Sequence, residues 1–321
     1  MKAHAAKEGI TANFQRDSKK IKEVEQTLKS IHERMMELYH YNFPYFTDVK
    51  ILKHSAMLNQ LIQRIQNDLE ENGIIRNSIE WKQVSEALSK NLGTQFFENL
   101  AFYNPPDDAL YLSEEMAINY PTKMLSVCAH ELSEKLLFTI ISQPAKSSLQ
   151  SAAKLYLEGM KDRNANKNQE LLNIYVDAVF KTVFKEGCCE AIALQVLCNM
   201  GLRYETEVAS LEKELQTGCS KCMELLFHIE NTRKGESAVE KDRMSHQALD
   251  KEKLAKDILR SSQIIKGVSY YLGYALAKAV LEKFGIEGVR FAVENYPPLK
   301  AEYFANPQTY LTLLEKQIAL K

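Results

Sequence analysis

Between Met124 and Ile141 the chain is apolar nearly all round a helical projection, yet it carries His130, Glu131 and Glu134 at its middle. Met124, Leu125, Val127, Cys128 and Ala129 precede the polar group, and Leu136, Leu137, Phe138, Ile140 and Ile141 follow it. A helix that is apolar on every side must be enclosed by other elements. The fold therefore has to supply neighbours around this helix and partners for its ionisable groups, because buried carboxylates need hydrogen bonds or a cation. His130 and Glu134 are one turn apart and share a face, while Glu131 lies about 100° round. Spacing alone leaves two readings open: a cation site, or a solvated polar stripe that also takes in Ser126, Ser133 and Lys135.

The rest of the chain reads as mainly α with a small β-sheet, an α+β protein. Ile21, Val24, Leu28, Ile31, Met35 and Leu38 alternate spacings of three and four, which predicts a helix capped near Asp17 or Ser18. Asn42-Phe43-Pro44-Tyr45 breaks it. A second helix is expected from about Val49 to Leu69, ended by Asn72-Gly73. Asn104-Pro105-Pro106-Asp107-Asp108 forms a turn cluster before a short strand, Ala109 to Ser113. This strand is expected at the edge of a small sheet, beside the helix that bears His130. Helices are expected over Lys123 to Ile141, Ser147 to Met160, Gln169 to Met200 with an interruption near Glu186-Gly187, and Arg203 to Ile229. They should continue over Ile264 to Phe284 and Gly288 to Glu294, closed by Pro297-Pro298. The division into domains is expected as an N-terminal helical region, 1–90, and a second domain, 91–321. Within the latter, 231–257 is a charge-rich insertion poor in large apolar residues.

Composition excludes several classes. At 321 residues with a net charge of -1, no global field draws the chain to nucleic acid or to anionic membrane. No apolar run is long enough to span a bilayer, and Met1 to Lys20 lack the apolar core of a secretory signal. Six Cys in a chain of this length fit reduced thiols, so a cytoplasmic location is expected.

Ala129-His130-Glu131-Leu132-Ser133-Glu134 contains HELSE, one residue away from the HExxH signature of zinc metallopeptidases. A second buried-helix start, Lys185-Glu186-Gly187-Cys188-Cys189-Glu190, carries a Glu-Gly step, and Tyr270-Tyr271-Leu272-Gly273-Tyr274-Ala275 precedes Lys283-Phe284-Gly285. Together these stretches resemble the gluzincin branch of zinc metallopeptidases over about residues 95 to 300. The resemblance implies a zincin-like metallopeptidase fold behind the N-terminal helical region and a metal-dependent peptidase or related hydrolase acting on a peptide or protein. It implies His130, Glu134 and Glu186 as metal ligands, Glu131 as the general base, and Tyr271 or Tyr274 as the oxyanion donor. The family's second His is Glu134 here. One imidazole and two carboxylates would bring a divalent site near neutrality, so manganese or iron(II) become alternatives to zinc. Two rivals stay open: an inactive protein of the same fold that binds or scaffolds without a metal, and an unrelated helical interaction protein.

Other motifs are weaker. Cys219-Ser220-Lys221-Cys222 is a lone CxxC with only His228 near it, and Cys188-Cys189 read as core thiols. His32, His40 and His54 are scattered over the N-terminal region, and neither a phosphate-binding glycine loop nor a Gly-x-Ser-x-Gly nucleophile step is present.

Overall fold

The structure is a computed structural model that describes residues 2–53, 55–57, 59–60, 62–63, 67, 101–104, 106–119, 121–141, 165–201, 205–234, 251–295 and 298–320. The described residues are mainly helical with one three-stranded sheet. None of their helices is long and apolar enough to cross a membrane. The chain divides into two compact units, Met1–Leu136 with Ala193–Glu207, and Leu137–Ile192 with Val208–Lys321.

In the first unit, α1 (Lys2–Tyr39) buries the seam read from the sequence, with Val24, Leu28, Ile31 and Met35 in the core. It starts well before Asp17 and Ser18, which lie inside the helix and are not its cap. His40, at φ 53, takes the left-handed conformation that ends it. The expected helix does not begin at Val49, because Asp48–Leu52 is a strand, β1, but the residues described between 55 and 67 are helical as expected. The alternation of Val49 and Ile51 suits a strand, and a parallel partner settles the choice, since β1 pairs with β3 (Ala109–Ser113) from Asp48↔Ala109 to Leu52↔Ser113. The expected ends of that helix at Leu69 and Asn72-Gly73 lie outside the described residues.

β2 (Ala101–Asn104) pairs antiparallel with β3, so the sheet order is β1-β3-β2. The strand expected at 109–113 is therefore real but central, not at the edge. All five of its residues are buried, as a strand with neighbours on both sides requires. A turn with Asp108 at φ 49 joins β2 to β3, and α2 (Glu114–Asn119) and α3 (Pro121–Ile140) follow. Pro121 opens α3, where a missing N–H costs nothing.

In the second unit, α4 (Ala165–Asn199) supplies residues up to Ile192 and runs through Glu186-Gly187 without the expected interruption. It is followed by α5 (Glu205–Lys234), α6 (Lys251–Asn295), α7 (Ala301–Ala305) and α8 (Pro307–Ala319). Gly285, at φ 65 and ψ -165, breaks α6 into the two helices expected from the sequence. The charge-rich stretch 231–257 is helical where it is described, at its two ends. Its middle, 235–250, and the helix expected over 147–160 lie outside the described residues. Phe180, Phe184, Phe304 and Tyr310 form a fully buried aromatic centre, with Phe184 and Tyr310 rings 6.2 Å apart. The Glu230 carboxylate accepts the Ala301 N–H at 2.8 Å and so secures the start of α7.

Candidate functional site

The motif helix α3 is buried along most of its length: Met124, Cys128, Ala129, Leu132, Leu136 and Leu137 are in the core, and His130, Glu131 and Glu134 are half-buried. Glu131 and Lys135, four residues apart, share one face, and that face meets the sheet. Glu131 Oε2 accepts the backbone N–H of Tyr103 on the outer strand β2 at 2.7 Å. Lys135, only 3 % exposed, is ion-paired with Asp108 and donates to the Tyr45 carbonyl at 3.0 Å. Its ammonium also lies 5.1 Å from the Phe46 ring centre and 5.7 Å from that of Tyr103.

Asp108 is the hub of this arrangement. Its Oδ1 accepts from the Tyr103 hydroxyl at 3.0 Å and from Lys135, and its Oδ2 accepts from the Thr47 hydroxyl at 2.7 Å. Burial raises the Asp108 carboxyl, but hydrogen bonds from Lys135, Thr47 and Tyr103 outweigh it and hold the group below the usual carboxylate range. One carboxylate thus joins the segment before β1, the strand β2 and the helix α3. Ser133 is fully buried with its hydroxyl returned to the Ala129 carbonyl at 2.7 Å. With Ser133 and Lys135 both buried, this part of the helix is not a solvated polar stripe.

His130 and Glu134 share the neighbouring face of α3, as their spacing required. Burial pushes the Cys128 thiol of the same helix up, beyond the range in which a thiolate forms at neutral pH.

Glu186, Tyr271 and Tyr274 belong to the second unit. Glu186 is half-buried on α4. The glycine after it has a packing role: a Cβ on Gly187 would lie 2.1 Å from the carbonyl carbon of Gly273, so α4 and α6 meet backbone to backbone. The two stretches singled out in this half of the sequence, Glu186-Gly187 and Tyr270 to Tyr274, therefore share one helix crossing. Tyr271 packs over Gly218 of α5, where an added Cβ would come within 2.5 Å of its Cδ1. Tyr274 is buried, and its hydroxyl donates to Glu212 Oε1 at 3.2 Å. The hydrogen bond from Lys278 to the same carboxylate, outweighing burial, keeps Glu212 below its ordinary range. Lys185 Nζ stands 4.4 Å from the Phe138 ring centre, within the same unit.

Among the described residues no three His, Cys, Asp or Glu side chains are grouped to hold one metal ion. The side chains of Cys219 and Cys222 are outside this description; their backbone lies within α5. Lys135, Asp108 and Tyr103 were missed from the sequence as parts of the site. A lysine inside an apolar run, four residues after a motif glutamate, was the available sign of Lys135. No protein-family model matches the chain, and neither the curated proteins nor the solved structures contain a significant match.

Proposed function

We propose that this chain is a metallopeptidase-like protein in which the motif helix has become a structural clamp, and that it binds a peptide or protein partner without cleaving it. One observation carries the reading: Glu131, the residue that the resemblance makes the general base, accepts the amide of Tyr103 at 2.7 Å. A base must take a proton from water, and a carboxylate oxygen committed to a backbone N–H has less capacity to do so. Lys135 adds a second tie one turn on, so the face that meets the sheet is engaged in holding the fold together. Glu134 in place of the second His weighs against cleavage, because an added anion in the ligand set would lessen the power of a bound cation to polarise water.

A second reading, a metal-dependent hydrolase with a variant HExxE site, keeps one specific support. The motif helix is tied to a strand of a small sheet through Glu131 and Tyr103, although that strand is β2 and not the expected 109–113. Metal analysis of the purified chain beside the Glu134→Ala variant separates the two, together with a peptide-hydrolysis assay after addition of zinc, manganese or iron(II). The clamp reading expects no stoichiometric metal in either protein and no hydrolysis above a blank. One equivalent of metal that is lost on Glu134→Ala, with turnover that follows it, would overturn that reading in favour of the hydrolase.

A further inference from the structure

His32 lies on the buried side of α1, only 7 % exposed. Its Nε2 is 2.8 Å from the Phe43 carbonyl, so that nitrogen carries the proton and donates. Its ring is met edge-on by Phe43 at 4.6 Å and by Tyr45 at 5.2 Å. These contacts hold the segment 41–47 against α1 after the chain has turned at His40. The segment then runs directly into β1.

Tyr45 connects this contact to the motif helix. Its ring touches His32, and its carbonyl accepts from Lys135 Nζ at 3.0 Å. The charged groups around His32 do not favour a second cation there. From α3 comes the Lys135 ammonium, and the carboxylate that could offset it, Asp108 on the β2–β3 turn, is already paired with that ammonium. From its own helix comes Glu33, which favours the charged ring but is exposed to solvent. The segment itself offers the Phe43 carbonyl, which the neutral tautomer already satisfies. Burial is the largest influence on the ring and lowers its proton affinity; Lys135 acts in the same direction, and the Phe43 carbonyl and Glu33 oppose them without cancelling the effect.

We propose that His32 is an acid-operated latch: neutral, it holds segment 41–47 on α1, and protonated, it lets that segment go. Adding a proton places a second positive charge beside Lys135 in a buried aromatic cluster. Opening the segment returns the imidazolium to water and at the same time loosens the Tyr45 carbonyl from Lys135, next to Glu134 on the motif helix. The device operates whether that helix binds or cleaves.

The test is chymotryptic cleavage of the full chain after Tyr45 and Phe46. The rate is divided at each pH by that of a free peptide of residues 41–47, so that protease activity cancels. Between pH 7.5 and 5 the normalised rate should rise about tenfold in the native chain. It should change less than about twofold in His32→Gln, which keeps a donor for the Phe43 carbonyl and does not titrate. An equal rise in both proteins would overturn the latch, as would no rise in the native chain. Should His32→Gln fail to fold, NMR titration of the native imidazole, assigned through its contacts with Phe43 and Tyr45, decides the question. A midpoint below 6.5 supports the latch, and a midpoint at or above that value overturns it.

Discussion

Gly187 and Gly273 touch through their backbones, with the projected Cβ of Gly187 only 2.1 Å from the Gly273 carbonyl carbon and that of Gly273 only 1.9 Å from the Val183 carbonyl oxygen. Two opposed effects act on an alanine here. Helix propensity favours alanine over glycine by about 1 kcal/mol. Overlap with backbone atoms, which cannot swing aside as a side chain can, costs about 1–3 kcal/mol or more. The steric term wins, so Gly187→Ala and Gly273→Ala should each lower stability in urea denaturation. A stabilised Gly187→Ala protein would show that α4 and α6 do not cross at these glycines.

Glu131 can be separated into its charge and its acceptor. Glu131→Gln keeps an oxygen for the Tyr103 N–H, whereas Glu131→Ala leaves that amide without its partner at the side of a buried residue. An unsatisfied buried donor costs about 1–3 kcal/mol. The alanine variant should therefore lose about that much stability and the glutamine variant much less. Equal losses in chemical denaturation would mean that the 2.7 Å contact contributes nothing particular to the fold.

Elements with a strong local period were legible in the sequence, and elements decided by distant partners were not. The α1 seam could be read because Val24, Leu28, Ile31 and Met35 repeat as a heptad and are all buried. The strand 109–113 could be read because a turn cluster precedes a β-prone run, but its central place could not, since that depends on β1. Val49 to Leu52 fits either period over so short a run, and only pairing with β3 makes it a strand. At the candidate site, the buried setting of His130, Glu131 and Glu134 followed from the apolar residues around them. The partners did not: Tyr103 and Asp108 come from a turn-linked strand pair, and nothing in the spacing of HELSE points to them. Gly187 looked like part of a ligand step, while the structure gives it the space demanded by Gly273.

Tyr274 holds Glu212 through its hydroxyl. The Tyr274 hydroxyl donates to Glu212 at 3.2 Å, so Tyr274→Phe should cost about 0.5–1.5 kcal/mol, the net worth of an ordinary hydrogen bond. Thermal unfolding should place Tyr274→Phe below the native chain by about that amount. An unchanged Tyr274→Phe protein would detach Tyr274 from Glu212.

Tyr310 presents the opposite case. It is fully buried between Phe184 and Tyr303, and its hydroxyl has no hydrogen-bond partner among the described residues. Removing an unsatisfied buried polar group relieves its desolvation. Tyr310→Phe should thus be neutral or stabilising by up to about 1 kcal/mol, measured by urea denaturation. A loss of more than about 1 kcal/mol would show that the hydroxyl is bonded in solution, for example to an internal water.

Asp108 and Lys135 are unequal partners, and the inequality fixes which variant suffers more. Lys135 is 3 % exposed and Asp108 33 % exposed. Asp108→Asn takes the Asp108 charge away from a buried ammonium, and breaking a buried pair in this way costs about 3–5 kcal/mol. Lys135→Met leaves a carboxylate that water reaches and that still accepts from Thr47 and Tyr103. Asp108→Asn should therefore be the less stable of the two at neutral pH. The acid response gives a second handle. Because the folded Asp108 carboxyl titrates below its ordinary value of 3.8, its stabilising effect is complete above that pH and is lost as the pH falls through the depressed folded value. Asp108→Asn should remove that part of the native chain's acid destabilisation. Denaturation midpoints followed from pH 7 down to 2 measure both effects, and a Lys135→Met protein less stable than Asp108→Asn at pH 7 would show that the buried ammonium is not what depends on the pair.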